Sequence, residues 1–256
     1  MSWGRFNGTV PGKRVSITLD STGGSGSANY SIAIPANFSD FWDTIDASGN
    51  ELRVTDPDGY TVLAYDLLGF SKANRTCTIR IGSHTVGAAE MGQAFLYYDM
   101  AGASTGAGSP ATASPRSGYI DVGGVQNAIK LRPQRPGDAR PADVITKDAG
   151  ASDWVWIDLG SVLDSMFLPS DGREEWEEIS RVTYTVEASG AAVSSMISVT
   201  SMRVINGRYI RMILKAGTTG VDNVLILTVT TAYPIQTTGR ILVFRVLVKV
   251  KNVTET

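Results

Sequence analysis

Polar and apolar side chains alternate along much of this chain, and the alternation comes in short runs separated by turn residues. Residues 14–20, RVSITLD, alternate cleanly and predict a first strand with one buried face. Residues 29–35, NYSIAIP, predict the next. Residues 51–55 alternate again, with Leu52 and Val54 on one face. Asp56-Pro57-Asp58-Gly59 then supplies a turn: proline presets φ, aspartate bonds neighbouring backbone, and glycine accepts positive φ. The run 60–67 is apolar on both parities, as in a strand covered on two sides. Together these predict the central hairpin of a β-sandwich. Residues 72–81 and 93–100 predict two further strands. Phe38, Phe41, Trp42 and Ile45 break the pattern with helical spacing, which predicts one or two helical turns capping a sandwich end.

The second half repeats the rhythm after an interruption. Residues 101–118 are almost all Ala, Gly, Ser, Thr and Pro and lack the apolar side chains of a core. Ile120 and Val122 suit a short strand. Residues 130–141, KLRPQRPGDARP, carry three prolines and four basic residues, an extended and stiff connector. Residues 153–159, DWVWIDL, put two tryptophans on one parity, and 162–168 suits a helical turn. The charged run 171–178 reads as a solvated loop or short helix. Strands are expected at 179–187, 196–204, 208–215, 223–231 and 240–250, with a hairpin turn at Asn206-Gly207. Short strands at regular spacing point to an immunoglobulin-like sandwich. The expected layout is an all-β chain: an arm at 1–13, a jelly-roll-like sandwich at 14–117, a connector at 118–147, an Ig-like sandwich at 148–252 and a tail at 253–256.

Composition narrows the chemistry. Among 256 residues, 23 Lys and Arg face 25 Asp and Glu, so there is no basic field for direct nucleic-acid binding. Cys77 is the only cysteine and His84 the only histidine. Cys77 reads as a small buried hydrophobe and His84 as a loop or strand-end residue. A Ser-His-Asp or Cys-His site would have to use His84, and zinc sites of the usual kind lack ligands. Asp56 and Asp58 resemble the start of a calcium loop without its later ligands. No pair of carboxylates is singled out for glycoside hydrolysis, and the Gly-rich stretch 102–108 lacks the Lys-Ser/Thr of a phosphate loop. No catalytic residue, cofactor or metal is expected. Neither a secretory signal nor an apolar run of membrane-spanning length is visible, so synthesis in a host cytoplasm is expected, without membrane insertion.

Two resemblances can be placed on residues. The segment of about 29–103 resembles a lectin-like jelly-roll family related to concanavalin-type sandwiches. It does so through Asn29-Tyr30, Asp40-Phe41-Trp42, the LRVTDPDG core, Leu63-Ala64-Tyr65 and Phe95-Leu96-Tyr97-Tyr98. Asp99-Met100 stand where that family usually has Gly-Asn. The segment of about 147–251 resembles the Ig-like domains of phage fibre–tail adaptor proteins, through Asp153-Trp154, Gly217-Thr218-Thr219-Gly220 and Thr238-Gly239-Arg240. Val224 stands where tyrosine is frequent. These resemblances imply a non-enzymatic structural protein of a tailed-phage virion: a capsid decoration, a neck or tail adaptor, or a fibre-anchoring part. Its expected partners are other virion proteins and further copies of itself. Subunit contacts are expected at Trp3, Phe6, Arg132, Arg135 and Arg140. The alternative is a carbohydrate-binding module for host surface glycans, with Trp42, Tyr60 and Tyr65 as its aromatic platform.

Overall fold

The computed structural model describes residues 13–21, 26–58, 61–86, 91–99, 115–123, 128–134, 140–163, 177–188, 196–232 and 239–252. The protein is all-β, with only two short helices among the described residues. No helix among these residues is long and apolar enough to cross a membrane.

The first half contains β1 (Lys13–Asp20), β2 (Gly26–Ala33), the helix α1 (Ser39–Thr44), β3 (Arg53–Thr55), β4 (Tyr65–Ser71), β5 (Thr76–Val86), β6 (Met91–Tyr98) and β7 (Arg116–Ile120). The strands run β4-β5-β2-β7-β1-β6, with β3 against the far side of β6. They wrap one core that includes Ile17, Leu19, Tyr30, Ile32, Phe41, Trp42, Ile79, Ile81 and Leu96. Strand β7 enters between two strands made much earlier, antiparallel to β1 and parallel to β2. Gly118 makes that insertion sterically feasible, because a Cβ there would lie 2.5 Å from Ile32 Cγ1.

The second half contains β8 (Ile129–Lys130), β9 (Asp143–Asp148), β10 (Asp153–Asp158), α2 (Gly160–Leu163), β11 (Glu178–Ala188), β12 (Ile197–Ile205), β13 (Tyr209–Ala216), β14 (Asp222–Ala232) and β15 (Ile241–Lys251). Strands β11-β14-β15-β9 form one layer and β12-β13-β10-β8 the other. Val182, Leu225, Leu227, Phe244, Val246 and Val248 from the first layer meet Val155, Ile157, Val199, Ile210, Met212 and Leu214 from the second. This is a sandwich whose inward positions follow the period of two. Asn206 and Gly207 carry φ of 51° and 66° between β12 and β13, the left-handed pair that a two-residue hairpin turn requires.

The large sheet does not stop between the halves. Arg181 and Val182 of β11 pair with Gly92 and Met91 of β6, so among the described residues one sheet of eleven strands runs from β4 at one edge to β9 at the other. The expected central hairpin is corrected. Its turn does form, with Asp56 N donating to Thr61 O and Leu63 N to Val54 O. Beyond it the arms separate, β3 pairing with β6 and β4 with β5, and β4 ends up as a sheet edge. Each arm finds a longer partner elsewhere than the other arm offers. The connector is likewise anchored to its own chain. Leu131 is buried in the second core, β8 pairs in parallel with β10, and Gln134 N donates to Val243 O.

Candidate functional site

The two halves meet through buried polar contacts. Arg14 on β1 and Glu178 on β11 form a two-point ion pair, with Arg14 Nη1 3.1 Å from Glu178 Oε2. The guanidinium also stacks over the Phe95 ring at 4.2 Å. Burial pushes the Glu178 carboxyl above its ordinary value, against the pull of Arg14. Thr18 Oγ1 donates to Val204 O at 2.8 Å and accepts from Val204 N at 3.0 Å, and Ser16 Oγ accepts from Asn206 N at 2.6 Å. The edge of β12 is thus covered by hydroxyls projecting from the face of β1. On the other side of the joint, Asp121 is shared by Arg203 and Arg211. Arg203 lies over Tyr119 at 4.3 Å, and Arg211 over Trp154 at 4.6 Å and Trp156 at 5.3 Å.

The expected contact residues divide. Arg132 follows β8 with its side chain 77% exposed, yet its backbone N donates to Asp143 Oδ2 and its guanidinium to Ala142 O. Arg140 is exposed, and its carbonyl accepts from the Gln134 amide. Both arginines therefore flank β9, an edge strand that presents Val144 at 58% exposure. Trp3, Phe6 and Arg135 lie outside the described residues.

The aromatic platform is corrected for the two rings that are described. Trp42 is 1% exposed and its Nε1 donates to Pro35 O; its ring packs against Phe41 at 4.9 Å. Tyr65 is 6% exposed and its hydroxyl donates to Leu52 O. Neither presents a ring face to solvent, because the helical spacing that grouped Trp42 with Phe38 and Phe41 aims them all into the core. Tyr60 lies outside the described residues.

A cleft of about 190 Å³ opens where the halves join. On one side of β6, β3 pairs with Phe95, Leu96 and Tyr97, and β11 pairs with Met91 and Gly92. Gln93 and Ala94 lie between, in a notch of the sheet. Asp56, Pro57, Asp58, His84, Gly92, Gln93, Ser180, Arg181 and Ala232 surround it. His84 Nδ1 sits 3.0 Å from Asp56 Oδ1, without the alignment of a hydrogen bond. Asp58 is occupied by its turn: Oδ1 accepts from Thr61 N at 2.9 Å and Oδ2 from Thr61 Oγ1 at 2.5 Å. Gln93 is fully buried, and neither its Nε2 nor its Oε1 has a hydrogen-bond partner. No three His, Cys, Asp or Glu side chains among the described residues are grouped to hold a metal ion.

Sequence reasoning missed Gln93, Glu177 and Glu178. Gln93 sits in the run 91–98, MGQAFLYY, which is otherwise small or apolar on both parities. Glu177 and Glu178 end a charged run, but Glu177 is 1% exposed against Arg240 and Thr231, and Glu178 is buried against Arg14. The parity of Gln93, shared with Phe95 and Tyr97, was the one available signal. Comparison with protein-family models, curated proteins and solved structures finds no match to this chain.

Proposed function

We propose that this chain is a non-enzymatic structural protein of a tailed-bacteriophage particle, acting through subunit contacts as a capsid decoration, a neck or tail adaptor, or a fibre-anchoring component. The observation that carries this reading is the unbroken eleven-strand sheet, locked across its joint and left with an edge strand at each end. A body of this kind transmits force between partners, and its edges accept further strands from a neighbour. Arg132 and Arg140 beside β9 add positive charge at one edge, which suits an acidic partner surface. The two resemblances carried by the LRVTDPDG and Gly-Thr-Thr-Gly segments favour a virion over other assemblies.

Light scattering on the purified chain, followed by imaging, tests the reading. The expected result is a defined oligomer, or uptake by particles that lack the protein. Arg132→Glu combined with Arg140→Glu is expected to lower that assembly at least about tenfold, the equivalent of ~1.4 kcal/mol, with only a small loss of thermal stability from the exposed Arg132–Asp143 pair. A monomer that never binds such particles sinks the reading. The alternative of a carbohydrate-binding module loses the rings of Trp42 and Tyr65, which are buried.

A further inference from the structure

We propose that the outward face of β11, β14, β15 and β9 is a dimer interface that receives the same face of a second copy of this chain. The inference rests on the reading of a protein that works through subunit contacts and names one of its partners; it does not require a virion. A sheet with one solvated face carries polar side chains on that face. Here the inward parity supplies Leu225, Leu227, Phe244, Val246 and Val248 to the second core, and the outward parity is largely apolar as well. Val224, Leu247 and Val144 stand side by side across β14, β15 and β9, and Thr228 and Thr230 pair with Val243 and Ile241. Ile241 is 69% exposed and Val144 58% exposed. Ile226 is 8% exposed yet belongs to neither core. A continuous apolar face of this kind on a folded protein marks an interaction site.

Charge, size and shape pick the partner. Glu187 on β11 and Arg245 on β15 approach to 3.6 Å across β14, since Glu187 is opposite Val224 and Arg245 opposite Ile226. The middle of the face thus carries a negative charge on one side of β14 and a positive charge on the other. The remaining charges, Arg181, Asp222 and Lys249, stand toward its two ends. A half-turn about an axis along β14 exchanges the sides, so Glu187 of each copy meets Arg245 of the other. A face of one sign would call for an oppositely charged stranger; this one complements itself. Strands β11, β14 and β15 have eleven residues each and β9 has six. At ~4.8 Å between strands and ~3.3 Å per residue they offer roughly 600 Å² per copy, or about 1,200 Å² in a pair, the lower end of the range for a stable interface. The valine, threonine and isoleucine side chains are short, and an axis along the strands lets two sheets stack in the aligned manner at ~10 Å.

Sedimentation equilibrium and native mass spectrometry on the full chain test the face. The wild type is expected to form a dimer whose fraction rises with concentration. Ile241→Glu is expected to weaken it at least about tenfold and, at so exposed a position, to leave the melting temperature unchanged. Glu187→Arg and Arg245→Glu each break a partly exposed intrachain pair of little worth to the fold, and each sets like charges against each other in its own dimer. Either alone is expected to lower dimerisation by a similar factor. Mixed, the two variants bring opposite charges together at both contacts, so a heterodimer is expected to form in preference to either homodimer. A pair confined within one chain has no such rescue. A wild type that stays monomeric up to millimolar concentration overturns the proposal. So does a dimer that Ile241→Glu leaves intact, or a mixture that yields no excess of heterodimer. Each of these failures leaves the virion reading to be judged separately by particle uptake, and a dimer of the expected kind that no particle takes up sinks the virion instead.

Discussion

Arg14 and Glu178 join the two halves through a buried ion pair. Their side chains are 16% and 10% exposed, so both charges are largely withdrawn from water. Removing one partner of a buried pair strands the other charge and costs about 3–5 kcal/mol, whereas replacing both with apolar groups is often neutral. Glu178→Ala is therefore expected to lower stability by about that amount in urea titration, and adding Arg14→Met to recover most of it. A cost below about 1 kcal/mol for the single change would show that water reaches the pair. The pH dependence has a definite sign. Burial holds the Glu178 carboxyl above its ordinary 4.5 in the folded chain. The folded state then binds the proton first as pH falls, so this contribution is fully present below the unfolded value and is lost as pH rises through the raised one. Wild type is expected to lose stability relative to Glu178→Gln over that rise, and a flat difference would contradict the shift. None of this was legible locally. The run 171–178 looks solvated, and Arg14 lies 164 residues from Glu178. Cys77, by contrast, read correctly from its alternation: it is buried, and burial pushes its thiol up to about 12.

At the scale of the element, period-two alternation located many of the strands, because a half-buried strand writes its burial directly into the sequence, but the expected 60–67 is Tyr65–Ser71 and β9 lies in the expected connector. The expected 14–20 and 223–231 became Lys13–Asp20 and Asp222–Ala232. Pairing was the hidden part. Nothing in the local pattern places β7 between β1 and β2, or joins β6 to β11, since hydrogen-bonding edges look alike from sequence. The edge of β12 is the sharpest case. Its alternation predicts a strand and says nothing of the Thr18 and Ser16 hydroxyls that close its edge. Thr18 is 1% exposed, so Thr18→Val keeps the shape and removes both bonds to Val204. A loss of about 1–3 kcal/mol is expected by equilibrium unfolding, the cost of leaving buried backbone groups unpaired. A loss within a few tenths of a kcal/mol would mean that β12 finds water instead.

For the whole molecule, the shared sheet and the polar joint make the halves one mechanical unit. Cys77 lies in the first core and reports that half alone, whereas tryptophan fluorescence reports both, with Trp42 in the first core and Trp154 and Trp156 on the second sandwich. Cys77 labelling and tryptophan fluorescence are expected to share one midpoint in urea, and to separate when Thr18→Val and Arg14→Met are combined. Separate midpoints in the wild type would show that the halves unfold independently.

The position of β9 has a consequence in time. Its strand partner among the described residues is β15, in parallel register from Val246↔Asp143 to Lys251↔Asp148. The ribosome emits β9 long before β15 and, at about 5–20 residues per second, leaves it waiting on the order of ten seconds. Throughout that interval the second sandwich has its entry strand but not the strand that receives it. Ile145 and Lys147, both buried in the finished protein, are then still in water. The second sandwich is thus closed, at β9, by a strand made much later than β9 itself, and a nascent neighbour's β15 offers β9 the same seat.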